Sequence, residues 1–566
     1  MQDGRLTVSH NAFPRAFTPK IISTLGEGYD LVRFRADTTA GVTVAIVALP
    51  LAMALGIASG ASPDKGLITA VIAGFLISFL GGSRVQVGGP TGAFVVVVFN
   101  VIAQHGYDGL LLATLLAGVI LTIAGYAKFG QLIKFIPHPV VTGFTAGIAV
   151  IIATSQVKDF LGLSIASVPA DFLPKWTAYF GALESVSVPT LGVGAATLAL
   201  IIGLRKLAPR YPGFLIAVVI ASVAVVLFKL PVDTIGSRFP NMPTGLPMPH
   251  LPAISIDKIR EVLPSAFTIA FLAGIEALLS AVVADGMTGF RHRSNQELVG
   301  QGVANIASAM FGGLPATGAI ARTATNIKAG ARTPVAGILH AVFLLLFILF
   351  GSNLMAFVPM AALAAILFMV AWGMSEAKHF IGYLRMPNAD RAVLLLTFGL
   401  TVLVDLTVAI GVGVTLASLL FMARMSETVE VSANGHDVRD YDEEDEDARQ
   451  RDALPEGVEV FRISGPFFFG AVGGLLDTFR AIGQPPRIII VRMRLVPMID
   501  ATGATAVEEF VSQATRTGTR VIFSGVMPQP LEMLRRVHLG AQDQRIQFAT
   551  NYQEALRLAS GATVAA

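Results

Sequence analysis

Cysteine is absent from the 566 residues, which excludes disulfides, thiolate metal sites and a cysteine nucleophile. Charge is scarce: Asp, Glu, Lys and Arg make up 14% of the chain, where a soluble domain carries about 25%. Charge of one sign is lacking too, since 41 basic residues face 38 acidic ones; nucleic acid is therefore not expected as a partner. His138, His292, His340 and His379 show no ligand spacing, so no metal site is expected. There is no nucleophile motif and no phosphate-cradling loop, so the chain does not read as an enzyme. Residues 1–37 lack the layout of a cleaved signal peptide.

What remains is apolar. Hydrophobic residues make up 54%, mean hydropathy is +0.68, and apolar runs recur near the roughly twenty residues that cross a hydrocarbon core of about 30 Å. Fourteen such segments are read near 38–58, 66–81, 90–103, 108–127, 137–156, 186–204, 213–229, 264–286, 296–312, 317–328, 333–351, 354–372, 391–406 and 407–423. With the N-terminus inside, Lys and Arg divide nineteen to seven in favour of the inner loops. That bias predicts an even number of spans with both termini cytoplasmic.

After Arg424 the character changes. Residues 437–452 hold nine acids, including the unbroken run Asp442 to Asp447, which self-repels and reads as a solvated linker. Strand-like runs at 458–463, 487–493, 520–523 and 546–549 then alternate with helical patterns at 471–482, 501–516, 530–537 and 552–560, the pattern of a small α/β domain. The chain thus divides into a cytoplasmic N-terminal segment (1–37), a transmembrane domain (38–424), an acidic linker (425–454) and a C-terminal domain (455–566).

The third and tenth segments are too short to cross, and each opens on a related string: Gly88-Gly89-Pro90-Thr91-Gly92-Ala93 and Gly312-Gly313-Leu314-Pro315-Ala316-Thr317-Gly318-Ala319. Each sits third in a group of seven, and seven is odd, so the second group must lie inverted relative to the first. Paired short helices interrupted by Gly and Pro point to a transporter whose substrate sits between helix N-termini. Such ends leave backbone N–H groups unpaired and carry about half a positive charge, which favours an anion. The expected substrate contacts are Pro90, Thr91, Gly92, Ala93 and Phe94 on one side, and Thr317, Gly318, Ala319, Ile320, Ala321 and Arg322 on the other. Thr91 and Thr317 would add hydroxyl donors, and Arg322 a permanent cation.

Glu276 lies mid-way along the eighth segment, with Ser280 one turn on and on the same face. An isolated carboxylate there holds a proton, binds a cation or pairs with a base such as Arg322; the reading favours Glu276 as the coupling group. Asp405, between the last two segments, reads as a loop or interface residue.

The strings at 39–60, 88–93, 275–289 and 318–326 resemble the sulfate permease family of anion transporters, and the C-terminal domain is similar to the STAS domain, with Ile499-Asp500-Ala501-Thr502-Gly503 as its turn before a helix. The resemblance implies a homodimer in a bacterial inner membrane, core and gate domains built from seven-plus-seven inverted repeats, and an elevator-type movement of the core. Within the family, the strings at 81–97, 282–289, 295–302 and 370–377 look most like bacterial four-carbon dicarboxylate transporters, which implies succinate, fumarate or aspartate moved with protons. Sulfate–proton and sodium–bicarbonate symport are the alternatives. In bicarbonate members the acid corresponding to Glu276 helps hold Na⁺ with the hydroxyl at Ser280 and backbone at Gly318 and Ala319; Glu in place of their Asp favours a proton. No cofactor is implied beyond that coupling ion. In related STAS domains a Ser at the place of Thr502 is phosphorylated, which makes Thr502 a regulatory candidate and leaves room for soluble partners. A membrane scaffold that senses an anion and signals through the STAS domain is the alternative from another class.

Overall fold

The computed structural model describes residues 17–131, 137–165, 168–169, 171–208, 211–240, 245–404, 406–433, 454, 457–473, 475, 478, 485–539 and 545–563. Asp405, the acidic run 442–447 and most of the helix expected at 471–482 lie outside them. The chain forms two compact units, 1–414 and 415–566.

In the first unit a short helix α1 (Lys20–Gly26) precedes α2 (Leu31–Ala58), α3 (Pro63–Leu80), the two-residue strand β1 (Gly88–Gly89), α4 (Phe94–Tyr126), α5 (His138–Leu161), α6 (Phe172–Gly181), α7 (Val188–Leu207), α8 (Gly213–Leu227) and α9 (Ile235–Arg238). Then follow α10 (Ile256–Thr288), α11 (Ser294–Met310), strand β2 (Thr317–Gly318), α12 (Ile320–Lys328), α13 (Val335–Met355), α14 (Met360–Met374), α15 (Ala377–Tyr383), α16 (Asn388–Leu403) and α17 (Leu406–Glu427). The expected third and fourth segments are the two arms of α4, broken at Gly106, whose φ of 71° and ψ of 179° only glycine adopts without strain. Counting those arms separately, fourteen helical segments match the fourteen apolar runs.

These helices pack as two groups. The first group is α2, α3, α4 and α10 to α13; in the second, α5 packs on α7, α14 and α16, and α7 on α8. Small residues set the closest approach in the first group. A Cβ at Gly118 of α4 or at Gly302 of α11 would each lie 2.6 Å from the other's carbonyl oxygen, so the two backbones touch where any side chain would hold them apart. Without a hydrophobic force between helices in lipid, such backbone contact carries the packing.

The second unit holds a five-stranded mixed sheet in the order β3 (Glu430–Ala433), β4 (Val458–Ser464), β5 (Ile488–Leu495), β6 (Arg520–Ser524), β7 (Ile546–Ala549). β3 pairs antiparallel with β4 and the remaining pairs are parallel. Helices α18 (Ala501–Arg516), α19 (Pro528–Arg536) and α20 (Tyr552–Thr563) cover the sheet. Phe461, Val491 and Phe523 bury one face with Val507 and Phe510 of α18; Ile488, Ile490 and Ile522 bury the other with Ala555 and Ala559 of α20. Burial on both faces explains the unbroken apolar run of β5. The sequence reading assigned 425–454 to linker throughout; Glu430–Ala433 is instead a strand. Its four residues carry too little pattern alone, and pairing with β4 supplies their order.

Candidate anion site

Two glycine-rich leaders cross at the centre of the first unit. β1 and β2 pair antiparallel, Gly88 opposite Gly318 and Gly89 opposite Thr317, although some 230 residues separate them in sequence. The first arm of α4 starts just beyond one strand and α12 just beyond the other. The residues at their N-caps are Ala93 and Ala319, and no side chain caps either end. At the start of α4 the Phe94 and Val95 N–H groups donate to the Thr91 and Gly92 carbonyls at 3.3 and 3.1 Å, so the uncapped N–H groups beside the crossing are chiefly those of the first turn of α12, while both helices aim their positive ends at it.

Side chains of α12 stitch the crossing together. Asn326 Nδ2 donates to the Val85 carbonyl at 2.8 Å, and Thr323 Oγ1 accepts from the Val87 N–H at 3.1 Å. Arg322 Nη2 donates to the Pro90 carbonyl at 2.5 Å and Nη1 to that of Gly88 at 3.5 Å. Residues 322, 323 and 326 share one helix face, so a single face of one repeat's half-helix holds the leader of the other.

Three of the expected site residues are engaged within the protein in this conformation. Arg322 is only 2% exposed and is spent on backbone carbonyls, so it neither pairs with Glu276 nor stands open to cargo in this conformation. Thr317 is fully buried, and its hydroxyl donates to the Ala273 carbonyl at 2.8 Å; its hydrogen is committed to α10 rather than to a ligand. Ser280 is likewise buried, 3.1 Å from the Thr323 hydroxyl and not hydrogen-bonded to Glu276.

Thr91 and Glu276 do meet. The half-buried Thr91 donates its Oγ1–H to Glu276 Oε2 at 2.9 Å. Glu276 forms no ion pair among the described residues. Pro90, Gly92, Ala93 and Phe94 are buried behind Thr91, Gly318 and Ala319 are buried at the crossing, and Ile320 and Ala321 are exposed on the first turn of α12. Gly92 is overlain by two side chains of the second helix group: its Cβ would lie 2.6 Å from Met374 Sδ and 3.1 Å from Ile152 Cδ1.

Sequence reasoning missed Gln86, Ile152, Thr323, Asn326 and Met374. Gln86 Nε2 donates to the Ala277 carbonyl at 3.1 Å, one residue past Glu276, while its Oε1 is buried without a partner among the described residues. Gln86 lies two residues before the first glycine-rich string and Thr323 four residues after the second. A polar side chain beside a buried, small-residue string was the signal available.

In the second unit Asp500 caps α18, its Oδ1 accepting from the Gly503 N–H at 2.7 Å and its Oδ2 from that of Phe469 at 3.2 Å. Thr502 lies exposed in the first turn of that helix.

A polytopic domain with two half-helices meeting N-terminus to N-terminus at a buried crossing defines the class, an anion transporter of the membrane. The chain belongs to the sulfate permease family, which its residues 34–397 match, and carries a STAS domain over 453–555. It is 40% identical over 531 residues to the YvdB protein of Bacillus subtilis (strain 168), whose provisional name is for sulfate transport, covering 93% of this chain and 98% of that one. It is 32% identical to the bicarbonate transporter BicA of Picosynechococcus sp. (strain ATCC 27264 / PCC 7002 / PR-6), covering 89% and 91%. The transmembrane domain of a cyanobacterial BicA superposes with a TM-score of 0.61 at 30% identity, over 69% of this chain and 98% of that one. The fold also matches murine Slc26a9 in its inward-facing state, with a TM-score of 0.84 at 17% identity, over 99% and 96% of the two chains. The relatives named here for a cargo are named for sulfate or bicarbonate; a particular likeness to dicarboxylate transporters is not seen among them.

Proposed function

We propose that the protein is a secondary active transporter that takes up one compact oxyanion, sulfate or bicarbonate, together with a proton carried on Glu276. The observation behind this reading is the pair of helix N-termini, neither capped by a side chain, beside the Thr91–Glu276 hydrogen bond. Two helix dipoles and a hydroxyl suit a small anion with one charged centre. A four-carbon dicarboxylate needs a second anionic subsite, and Arg322, the arginine at the crossing among the described residues, gives both terminal nitrogens to carbonyls and keeps its Nε buried. Relatives named for sulfate and bicarbonate support the same choice of an inorganic oxyanion over a dicarboxylate.

A proton suits Glu276 because its protein partner is a single hydroxyl, and the second hydroxyl that a sodium site would recruit, Ser280, is engaged by Thr323. Neutralising the carboxylate as the anion arrives would let the loaded group of helices move past the other group as an elevator, with Ile152 and Met374 on the stationary side. A homodimer with cytoplasmic termini in a bacterial inner membrane is the setting proposed for this cycle.

The test is uptake into proteoliposomes of labelled sulfate, bicarbonate and succinate, under an imposed proton gradient and, separately, a sodium gradient. Proton-driven sulfate or bicarbonate flux supports the reading. Succinate-only flux restores the dicarboxylate cargo, sodium-driven flux replaces the proton, and anion binding without any flux favours an anion-sensing scaffold.

A further inference from the structure

The N-terminal strap of the first unit is pinned along its length. Phe17 stacks on Tyr126 at the end of α4, with ring centroids 5.6 Å apart. The Lys20 N–H donates to the Gly81 carbonyl at 3.0 Å. Arg293 Nη1 donates to the Thr18 carbonyl at 2.6 Å and to the Ser23 hydroxyl at 3.1 Å, and Glu27 pairs with Arg84. The strap thus lies over the end of α3 and the start of α11.

Two properties of that surface are unexplained by packing. First, the Lys20 ammonium has no hydrogen bond or ion pair among the described residues, although its backbone is fixed at Gly81 and the charges of Arg293 and Arg84 act on it. Burial of its stem and the fields of Arg293 and Arg84 push its pKa below the ordinary lysine value, against weaker opposing pulls from Asp285 and Glu27. Glu27 is committed to Arg84 and Asp285 to His292. Second, the outer side of the strap is apolar: Ile22 and Leu25 are 59% and 47% exposed one turn apart, followed by Leu31 and Val32 at 61% and 63%. The helix α1 carries Lys20, with Arg84 and Arg293 on neighbouring segments, and cations beside an exposed apolar row suit a membrane interface.

We propose that Lys20, Arg84 and Arg293 bind the phosphate of an anionic phospholipid, whose acyl chains lie on Ile22, Leu25, Leu31 and Val32. The phosphate supplies the missing counter-charge at Lys20, and the apolar row gives its chains a place beside the first span. A soluble phosphate satisfies the cations and leaves the apolar row in water; the lipid satisfies both. The lipid would brace the strap across α3 and α11, the two helices that flank the half-helix crossing. The inference is independent of the cargo proposed above.

The experiment uses the full-length protein, delipidated in detergent and returned to phosphatidylglycerol or phosphatidylcholine, with bound lipid counted by native mass spectrometry and unfolding followed by thermal shift. Retained phosphatidylglycerol adducts and a raised Tm are expected for the wild type, with binding weakened about fivefold in Lys20→Gln, the factor equivalent to the roughly 1 kcal/mol a basic residue contributes at an anionic surface. Lys20→Arg should restore binding. Arg84→Gln, checked for an intact strap by limited proteolysis, provides the second variant. Equal binding of the two lipids, or adducts indifferent to both variants, overturns the proposal. Inorganic phosphate giving the same protection in phosphatidylcholine, lost in the same variants, also overturns it in favour of a soluble anion.

Discussion

The Thr91 hydroxyl and the Glu276 carboxylate are joined at 2.9 Å, and this bond spans the two repeats: Thr91 leads the first repeat's half-helix, and Glu276 lies mid-way along the first long helix of the second. Whatever neutralises Glu276 is therefore felt at Thr91, the cargo contact proposed above. Glu276→Gln retains a carbonyl acceptor for Thr91 but cannot load a proton. Gradient-driven accumulation should vanish while anion exchange persists, as measured by uptake and counterflow in proteoliposomes. Undiminished accumulation would remove Glu276 from the coupling role.

Thr91→Val leaves Glu276 without its hydroxyl partner, and Thr91→Ser keeps one. A buried acceptor stripped of its partner costs about 1–3 kcal/mol, and Thr91 is the hydroxyl at the proposed anion site, so apparent anion affinity should fall roughly 5- to 150-fold in the valine variant and recover in the serine variant, read as KM at fixed pH.

Arg322→Gln discriminates a brace from a cargo contact. If the guanidinium holds the Gly88 and Pro90 carbonyls together, its loss should lower thermal stability by about 3 kcal/mol, two hydrogen bonds to a charged donor, with or without anion present. A side chain that served cargo alone would change KM and leave the ligand-free Tm unmoved.

Gly92→Ala places a methyl against Met374 Sδ, the flexible end of a side chain. Transport should slow, and Met374→Ala should restore it, giving a non-additive double-mutant cycle. Gly318→Ala is the harsher change, since its Cβ would fall 1.5 Å from the Gln86 amide nitrogen that anchors Ala277. No single truncation at the gate should rescue that variant.

In the STAS domain, Asp500→Ala should cost about 1 kcal/mol through the lost cap of α18, read by thermal melting of the full chain. Thr502 lies exposed in that first turn, where an added phosphate would meet the positive end of the helix. Mass spectrometry of the native membrane under varied anion supply tests its modification; an unmodified Thr502 throughout removes it as a switch.

Hydropathy located the helices because lipid imposes one rule on every residue of a span, yet α2 begins at Leu31 rather than near residue 38. The extra turns carry Arg33, Arg35 and Asp37, which an apolar window rejects although the helix continues through them, with Asp37 buried and accepting from the Arg332 and Thr333 N–H groups. The short third and tenth segments were legible as a pair from their Gly and Pro. Their antiparallel register was not, because a two-residue ladder leaves no periodicity and pairing over that separation is not written locally. The direction of Arg322 was similarly hidden. A cation beside two helix N-termini reads as an anion ligand until the carbonyls of Gly88 and Pro90 are seen to lie nearer. Gln86 and Thr323 became visible only once the crossing showed what each one bonds.

The β1–β2 crossing also sets a demand on biogenesis. Gly88 and Gly89 obtain their strand partners only from Thr317 and Gly318, which emerge from the ribosome after the whole first repeat has entered the bilayer. Until then the first leader holds backbone groups that hydrocarbon penalises by several kcal/mol each when unsatisfied. A chain arrested after its seventh span therefore carries an incomplete centre that cannot close on itself. Quality control that surveys the membrane for exposed polar backbone would find half of this protein marked for removal until the second half arrives.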